Sequence, residues 1–267
     1  MIRDGVRLKK VTLKLEFNGA LILESKEFSL DGKTVIIGFP GMAFIGKMTA
    51  EVLIDKLGLQ DTATIYTIDS PGVVPVDSGI LKPPLIKLYS KPDSPIAVVT
   101  SDFQPRSDEG MNRVAHQILK YISSKGASSI LAAAAFVKPS VEEKRVVYVA
   151  SSNEEKLKSF EALGCVRMDG GISGLNGLIP GIAPAYGMDG AVLLGETSEL
   201  FVAGNLVDYR GVACVVEVIS KAFNLKVDLS DIIEKAAMIE KRVREAIEEE
   251  VKRKLKSEER EEFSTHM

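Results

Sequence analysis

Residues 34–49 constrain the fold more than any other part of the chain. They read TVIIGFPGMAFIGKMT: a short apolar run, two glycines around Phe-Pro, and then apolar residues at helical spacing. A buried strand that passes through a glycine turn directly into a helix is the repeating unit of α/β proteins. The segment therefore predicts a central strand at 35–37, followed by a helix over 43–57 that Gly58 ends.

The same segment nearly matches a phosphate-binding loop. Gly41, four further residues and Gly46-Lys47 satisfy the pattern G-x-x-x-x-G-K-[ST] except at its last position, and the hydroxyl comes one residue late, at Thr49. The loop interior is bulky and apolar, and Pro40 removes one N–H donor. These departures favour a turn that packs, and a nucleotide- or nucleoside-binding enzyme that uses this loop remains the alternative.

Strand-like and helix-like runs alternate along most of the chain. An antiparallel hairpin is predicted at 11–24, closed by an Asn-Gly turn. Further strands are predicted at 62–68, 85–89, 96–100, 130–135, 146–150 and 191–194. Helices are predicted at 110–124, at 153–163, where Ser151-Ser152 can cap, and at 206–223. This alternation predicts a three-layer α/β/α fold with a mostly parallel central sheet, in one domain of residues 1–229.

The last segment, residues 230–267, has a different pattern. A helix is predicted from Ser230 to about residue 262, with apolar residues at 4-3-4-3 spacing in its first half and almost only charges in its second half. Ile232, Ile239 and Val243 are therefore a candidate interface between subunits. The alternative is that they dock the helix within their own subunit, and that the charged end is solvated.

A second glycine-rich stretch covers residues 170–181, GGISGLNGLIPG. Its glycines could expose N–H groups to an anion at a helix start, but glycine by itself recognises no charge. We interpret both glycine-rich stretches as structural, with tight turns and close contacts between helix and strand. The predicted structural positions are Gly38, Pro40, Gly41, Gly46, Gly170, Gly171, Gly174 and Gly177.

A polar segment, residues 102–109, follows a predicted central strand, where ligands commonly bind in α/β sheets. Its charged side chains could carry acid–base or anion chemistry. The alternative is a surface loop in which Ser107 or Asp108 caps the next helix. His116 and His266, the two histidines, have no partners at the spacing of a catalytic triad or a metal site. The sequence therefore predicts no catalytic residues, no metal and no cofactor.

Composition excludes several classes of protein. The net charge of −3 argues against a nucleic-acid partner, and no apolar run is long enough to cross a bilayer. Two cysteines without a disulfide or metal pattern are typical of a reducing cytosol, so a cytoplasmic protein is expected. Three glutamines among abundant Lys, Arg and Glu favour a heat-adapted protein.

Four motifs, taken in order, resemble the proteasome assembly chaperone 2 family, and specifically its archaeal, PbaA-like members. They are Gly38-Phe-Pro-Gly41 with Gly46, then Asp102-Phe-Gln-Pro105, then residues 170–177, then residues 193–197. The resemblance implies an α/β/α fold related to nucleoside-phosphorylase-like domains. It also implies a non-enzymatic homo-oligomer, a tetramer or a pentamer, that binds proteasome subunits or an adaptor or ATPase-type protein.

The C-terminus departs from one feature that the family implies. Members that engage the proteasome commonly carry a hydrophobic–Tyr–any tail, which inserts between α-subunits. This sequence ends in Thr265-His266-Met267, so the resemblance is to the archaeal group without that tail. We therefore do not expect docking by a tail of this kind.

Overall fold

The computed structural model describes residues 13–17, 19–25 and 27–245. By its internal contacts the chain divides between Val227 and Asp228 into two compact units. The division predicted from the sequence lies two residues later, between residues 229 and 230. The interpretation of the chain as one domain followed by one helix stays a prediction.

The described residues of the first unit form twelve β-strands and six α-helices. The strands are β1 Leu13–Phe17, β2 Ala20–Glu24, β3 Thr34–Gly38, β4 Gln60–Thr67, β5 Val76–Asp77, β6 Ile80–Leu81, β7 Ile86–Ser90, β8 Ile96–Ser101, β9 Ser129–Lys138, β10 Val147–Ser151, β11 Val166–Arg167 and β12 Asp189–Ser198. The helices are α1 Ile45–Leu57, α2 Asp108–Ser124, α3 Glu154–Glu161, α4 Leu175–Ile182, α5 Glu199–Ala203 and α6 Tyr209–Ala222.

Ten of these strands form one sheet, in the order β1-β2-β4-β7-β8-β3-β9-β12-β10-β11. The four central strands β8-β3-β9-β12 are parallel, which agrees with the predicted parallel centre. The flank from β1 to β8 is antiparallel, and β10 runs antiparallel to β12. Short connections such as the five residues between β7 and β8 produce antiparallel neighbours, whereas parallel neighbours need a crossover.

Helices cover both faces of the sheet centre. Val35 and Ile37 of β3 belong to the apolar core that includes residues of α2 and α4. Ile36 and Gly38 point to the opposite face, where Gly38 lies against Gly46 and Ala50 at the start of α1. A central strand covered on both faces is expected to read as a continuous apolar run, as this strand does. The predicted three-layer α/β/α class is confirmed.

The helices predicted at 110–124 and 206–223 begin at Asp108 and Tyr209, and two other helices, α1 and α3, start in a different way from their predictions. The helix predicted at 43–57 begins as a 3-10 turn, Met42–Phe44, and α1 follows it and ends at left-handed Gly58 as predicted. The prediction that Ser151-Ser152 caps α3 is wrong. Asn153 is the cap, because its side chain accepts the hydrogen bond from the Lys156 N–H at 2.8 Å.

The second unit contains a helix that is described over residues 230–245. Ile232 is buried, and Ile239 and Val243 are half-buried. The remainder of the helix predicted to residue 262 lies outside the described residues. In the part of the chain that the structure describes, no helix is both long and apolar enough to span a membrane.

Candidate functional site at the carboxyl edge of the sheet

Three loops meet at the carboxyl ends of the parallel strands β3 and β8. They are the turn after β3 (residues 39–44), the loop after β8 (residues 102–107) and the loop that leads into α4 (residues 168–174). Open α/β sheets bind their ligands at this edge. The structure thus brings together the two glycine-rich stretches and the polar segment that the sequence singled out.

The side chain of Asn176 joins the first two of these features. Its Oδ1 accepts a hydrogen bond from the Phe39 N–H at 2.8 Å, and its Nδ2 donates to the Phe39 carbonyl at 3.0 Å. Both residues are buried. One amide therefore satisfies the donor and the acceptor of a single backbone residue, and ties the turn after β3 to α4.

Gln104 makes the second connection. Its Nε2 donates to the Pro40 carbonyl, and its Oε1 accepts from the Leu175 N–H at 2.8 Å. Leu175 is the first residue of α4, so its N–H is one of the free donors with which a helix N-terminus could bind an anion. Here that donor is bonded to Gln104. In the turn after β3 and at the start of α4, these backbone groups are therefore already bonded to the protein's own side chains.

Gly38 and Gly46 have no room for a side chain. A Cβ on Gly38 would lie 2.3 Å from the Gly46 carbonyl oxygen, and one on Gly46 would lie 2.5 Å from the Ala133 carbonyl oxygen. Gly177 is similarly crowded, since its Cβ would lie 2.5 Å from the Ile172 carbonyl oxygen. Close packing is thus a sufficient physical reason for glycine at these three positions.

The other motif glycines differ in their geometry. Gly170 and Gly174 adopt positive φ angles of 121° and 79°, which glycine tolerates best. Gly171 has no atom within 4 Å of a Cβ position, and Gly41 is extended with its nearest neighbour at 3.8 Å. Neither space nor φ requires glycine at these last two positions.

The chain reversal expected at Gly38 and Gly41 falls instead on the next residues. Ala43 and Phe44 have φ angles of 49° and 54°, in the left-handed region that is uncommon for residues with a Cβ. The Asp208 N–H donates to the Ala43 carbonyl at 3.1 Å and fixes one of these residues. The turn is therefore held by tertiary contacts rather than by glycine freedom.

Lys47, the lysine of the near-match to a phosphate loop, is bound to two carboxylates. Its Nζ lies 2.7 Å from Asp102 Oδ1 and 2.8 Å from Glu51 Oε1. Burial by itself lowers the pKa of this lysine, but hydrogen bonds to Asp102 and Glu51 outweigh it, so the pKa is raised. Thr49 is fully buried, and its hydroxyl has no hydrogen-bond partner among the described residues. This lysine and this hydroxyl do not face an open phosphate site.

The polar segment caps a helix. The Ser107 side chain accepts from the Gly110 N–H at 3.1 Å and begins α2, as one of the two interpretations of the sequence expected. Asp102 pairs with Lys47, while Arg106 and Asp108 are exposed. The loops around residues 69–73 and 104–107 border an open cleft of about 330 Å³.

In the part of the chain that the structure describes, the histidine and the two cysteines are paired or at least partly buried. Within the described residues, no cluster of three His, Cys, Asp or Glu side chains could hold a metal ion. The Nδ1 of His116 lies 2.6 Å from the Tyr186 hydroxyl. Burial raises the pKa of the Cys165 and Cys214 thiols to about 11, so both are protonated at neutral pH.

Asn176 and Gln104 were missed as key residues by the sequence interpretation. Each stands inside a motif that had been noted, Gly174-Leu-Asn-Gly177 and Asp102-Phe-Gln-Pro105. An amide between glycines or next to a proline is the available signal, because such side chains commonly bond backbone groups of turns. That signal does not identify the turn that is bound. For Asn176, the turn is at Phe39, 137 residues away in the sequence.

These features define a three-layer α/β/α protein in which the turn after β3 is bonded to the protein's own amides and Lys47 to its own carboxylates. The chain belongs to the PAC2 family, whose model matches residues 35–247. An uncharacterized protein of Methanocaldococcus jannaschii, MJ1210, is 28% identical over 217 residues, which cover 79% of this chain and 81% of that protein.

Two solved structures from Pyrococcus furiosus are similar over nearly their full lengths. PbaA, described as an archaeal homolog of proteasome-assembly chaperone, is 27% identical with a TM-score of 0.70, covering 86% of this chain and 94% of PbaA. PbaB, described as an archaeal proteasome activator, is 23% identical with a TM-score of 0.77, covering 86% of this chain and 99% of PbaB. The predicted resemblance to the archaeal members of the family is confirmed.

Proposed function

We propose that this protein is a non-enzymatic, homo-oligomeric chaperone or scaffold of the proteasome-assembly type. It binds proteasome subunits or a related adaptor or ATPase-type protein. PAC2 membership and the similarity to PbaA support the chaperone class. A cytosolic location and adaptation to heat belong to the same proposal, and the composition of the chain supports both.

The turn after β3, whose backbone groups are bonded to the protein's own side chains, is the observation that carries the proposal. An enzyme of this architecture would bind substrate there. In this protein the backbone groups of Phe39, Pro40 and Leu175 are bonded to Asn176 and Gln104. The function is therefore assigned to the outer surface of the protein rather than to a substrate site at this turn.

The second unit offers one contact for self-association. Ile239 and Val243 are half-buried apolar residues of the C-terminal helix, and they were predicted as interface residues together with Ile232. Light scattering after size exclusion tests this part. Changing Ile239 and Val243 together to serine should lower the oligomer mass, whereas serine at the exposed Arg242 and Arg244 should not. Unchanged mass in both double variants would remove this helix face from the interface.

Binding to proteasome subunits is tested with the purified α-subunits of the same organism. The immobilised protein should retain α-subunits in a saturable manner, measured by biolayer interferometry, and denatured protein should not. Absence of saturable binding, with no effect of the protein on α-ring formation in solution, would contradict the proposal. The assay does not depend on which surface makes the contact.

The two functions differ in what they predict for Lys47. On our proposal the Lys47 ammonium group stays bound to Asp102 and Glu51, so calorimetric titration with ATP or GTP at millimolar concentration should release no binding heat. The Lys47→Met variant should behave in the same way. Binding by the natural protein that Lys47→Met abolishes would establish the enzyme-type alternative and overturn our proposal.

A further inference from the structure

The ten-stranded sheet ends in two edge strands of unequal length. β11 at one edge has two residues, and its Arg167 forms ion pairs with Glu154 and Glu161. β1 at the other edge has five residues, Leu13–Phe17, and within the described residues it pairs only with β2. The outer N–H and C=O groups of an edge strand are a template for pairing with another chain. β1 is therefore the edge to which a further strand could be added.

The register of β1 determines which of its backbone groups face outward. β1 and β2 are antiparallel, with Phe17 opposite Ala20. Only two residues separate these two, so they are themselves a hydrogen-bonded pair. Bonded and non-bonded pairs alternate along an antiparallel ladder, so Leu15 is bonded to β2, whereas Lys14 and Glu16 are not. The backbone N–H and C=O groups of Lys14 and Glu16 thus point away from β2, toward the open edge.

The side chains of the same two residues lie on one exposed face of the sheet. Lys14 and Glu16 are both exposed, and the Nζ of Lys14 lies 3.2 Å from Oε1 of Glu16. Residues two apart in a strand share a face. Their neighbours across the ladder, Leu23 and Leu21, are half-buried, while the alternate residues of β2 are buried. The open edge therefore carries one positive and one negative side chain, side by side on the outer face.

We infer that β1 pairs antiparallel with β1 of a second copy of the chain, around a two-fold axis that passes through Leu15 perpendicular to the sheet. The inference rests on the homo-oligomer of the proposed function and names one of its contacts. Lys14 then lies opposite Glu16 of the partner subunit, and Glu16 lies opposite the partner's Lys14. In each of these two pairs, the outward N–H and C=O groups exchange two backbone hydrogen bonds.

Charge selects both this register and this partner. A shift by two residues would place Lys14 opposite Lys14 of the partner subunit, or Glu16 opposite the partner's Glu16, and like charges directly opposite are unfavourable. A shift by one residue would place outward backbone groups opposite a residue that is bonded to β2. Lysines at a sheet edge commonly prevent pairing, but here each lysine meets a glutamate. A second copy thus satisfies the backbone and the side chains in the same register.

Exchanging the two charges of β1 tests for a second copy. Lys14→Glu places like charges in both pairs and should weaken self-association about 10-fold. The double variant with Lys14→Glu and Glu16→Lys keeps the net charge and should restore association, because each glutamate again faces a lysine. Lys91→Glu is the matched control, since it breaks an exposed ion pair of the same spacing, with Asp93, between β7 and β8. Analytical ultracentrifugation over a concentration series measures the dissociation constants, and thermal unfolding checks that each variant is folded.

Hydrogen exchange measures the same contact at the backbone. The amide protons of Lys14 and Glu16 should exchange slowly in the oligomer and rapidly after dilution to monomers. The Leu15 amide, which is bonded to β2, should exchange slowly in both. Slow exchange of the Lys14 and Glu16 amides in the monomer would show that the edge is covered within the chain, and would overturn the inference.

The outcomes separate the inference from the function on which it rests. A natural protein that stays monomeric at every concentration overturns the homo-oligomer and this contact with it. An oligomer that Lys14→Glu leaves unchanged overturns the contact alone, as does an odd number of subunits, because a two-fold contact joins subunits in pairs. A double variant that associates as weakly as Lys14→Glu contradicts a second copy. Weaker capture of α-subunits by Lys14→Glu, with unchanged self-association, would assign the edge to those subunits and overturn the inference.

Discussion

Replacing Asn176 with alanine tests whether the turn after β3 is held by the protein's own side chains. The substitution removes the acceptor for the Phe39 N–H and the donor to its carbonyl. Phe39 is fully buried, so water does not replace either bond without rearrangement. A buried backbone group left without a partner costs about 1–3 kcal/mol, and two such groups predict a loss of about 2–5 kcal/mol in the free energy of unfolding.

Thermal unfolding followed by circular dichroism measures this loss. For a domain of this size 1 kcal/mol corresponds to about 2–4 °C, so the midpoint of Asn176→Ala should fall by roughly 5–15 °C. Asn112→Ala is the matched control. Its Nδ2 also donates to a carbonyl, that of Asp108, but the contact is exposed and the change should stay within about 0.5 kcal/mol.

Equal midpoints for Asn176→Ala and Asn112→Ala would refute the reasoning. That result would mean that solvent reaches Phe39, and that the carboxyl edge of the sheet is open to a ligand. A loss of stability confined to Asn176→Ala would instead show that the edge is part of the folded core.

Three further perturbations follow from the same structure. Gly46→Ala should lower the free energy of unfolding, measured in urea, by about 1–3 kcal/mol, because a Cβ at this position has no room. Gly181→Ala should raise it by up to about 1 kcal/mol, because Gly181 lies in a helix and no atom lies within 4 Å of its Cβ position. Equal effects of the two variants would contradict the close packing at Gly46. Burial, and then a hydrogen bond to Glu24, raise the pKa of Tyr121. The tyrosine therefore ionises first in the unfolded state, and the free energy of unfolding should fall as the pH rises above about 10. Tyr121→Phe should reduce this pH dependence, and an unchanged pH dependence would contradict the prediction. Cys165 and Cys214, with pKa values of about 11, should react slowly with a thiol reagent at pH 8 until the protein is unfolded, and rapid reaction of both in the native protein would disagree.

Local patterns in the sequence were sufficient to predict the strand, turn and helix at the centre of the fold. The apolar run of β3, its glycine turn and the helical spacing of α1 are readable over sixteen residues because their physical causes are local. The left-handed residues Ala43 and Phe44 were not predictable in this way, since neither residue type favours that conformation. They are imposed by contacts from distant parts of the chain, such as the bond from Asp208.

The site was predicted in its parts but not in its connections. The glycine stretches and the polar segment were identified, yet the bonds that join them run from Asn176 to Phe39 and from Gln104 to both Pro40 and Leu175. No local pattern specifies partners that lie 64 to 137 residues away. The β5–β6 hairpin was also missed, because two-residue strands between prolines are too short to show a period.

The rate at which purified proteasome subunits of the same organism form complete particles tests the central claim most directly. The account predicts that the natural protein accelerates assembly, or raises its yield, at stoichiometric amounts and without added nucleotide. Native mass spectrometry of the same mixture should show complexes between its homo-oligomer and α-subunits. Assembly that is unchanged by the protein, with no such complex at any ratio, would contradict the account.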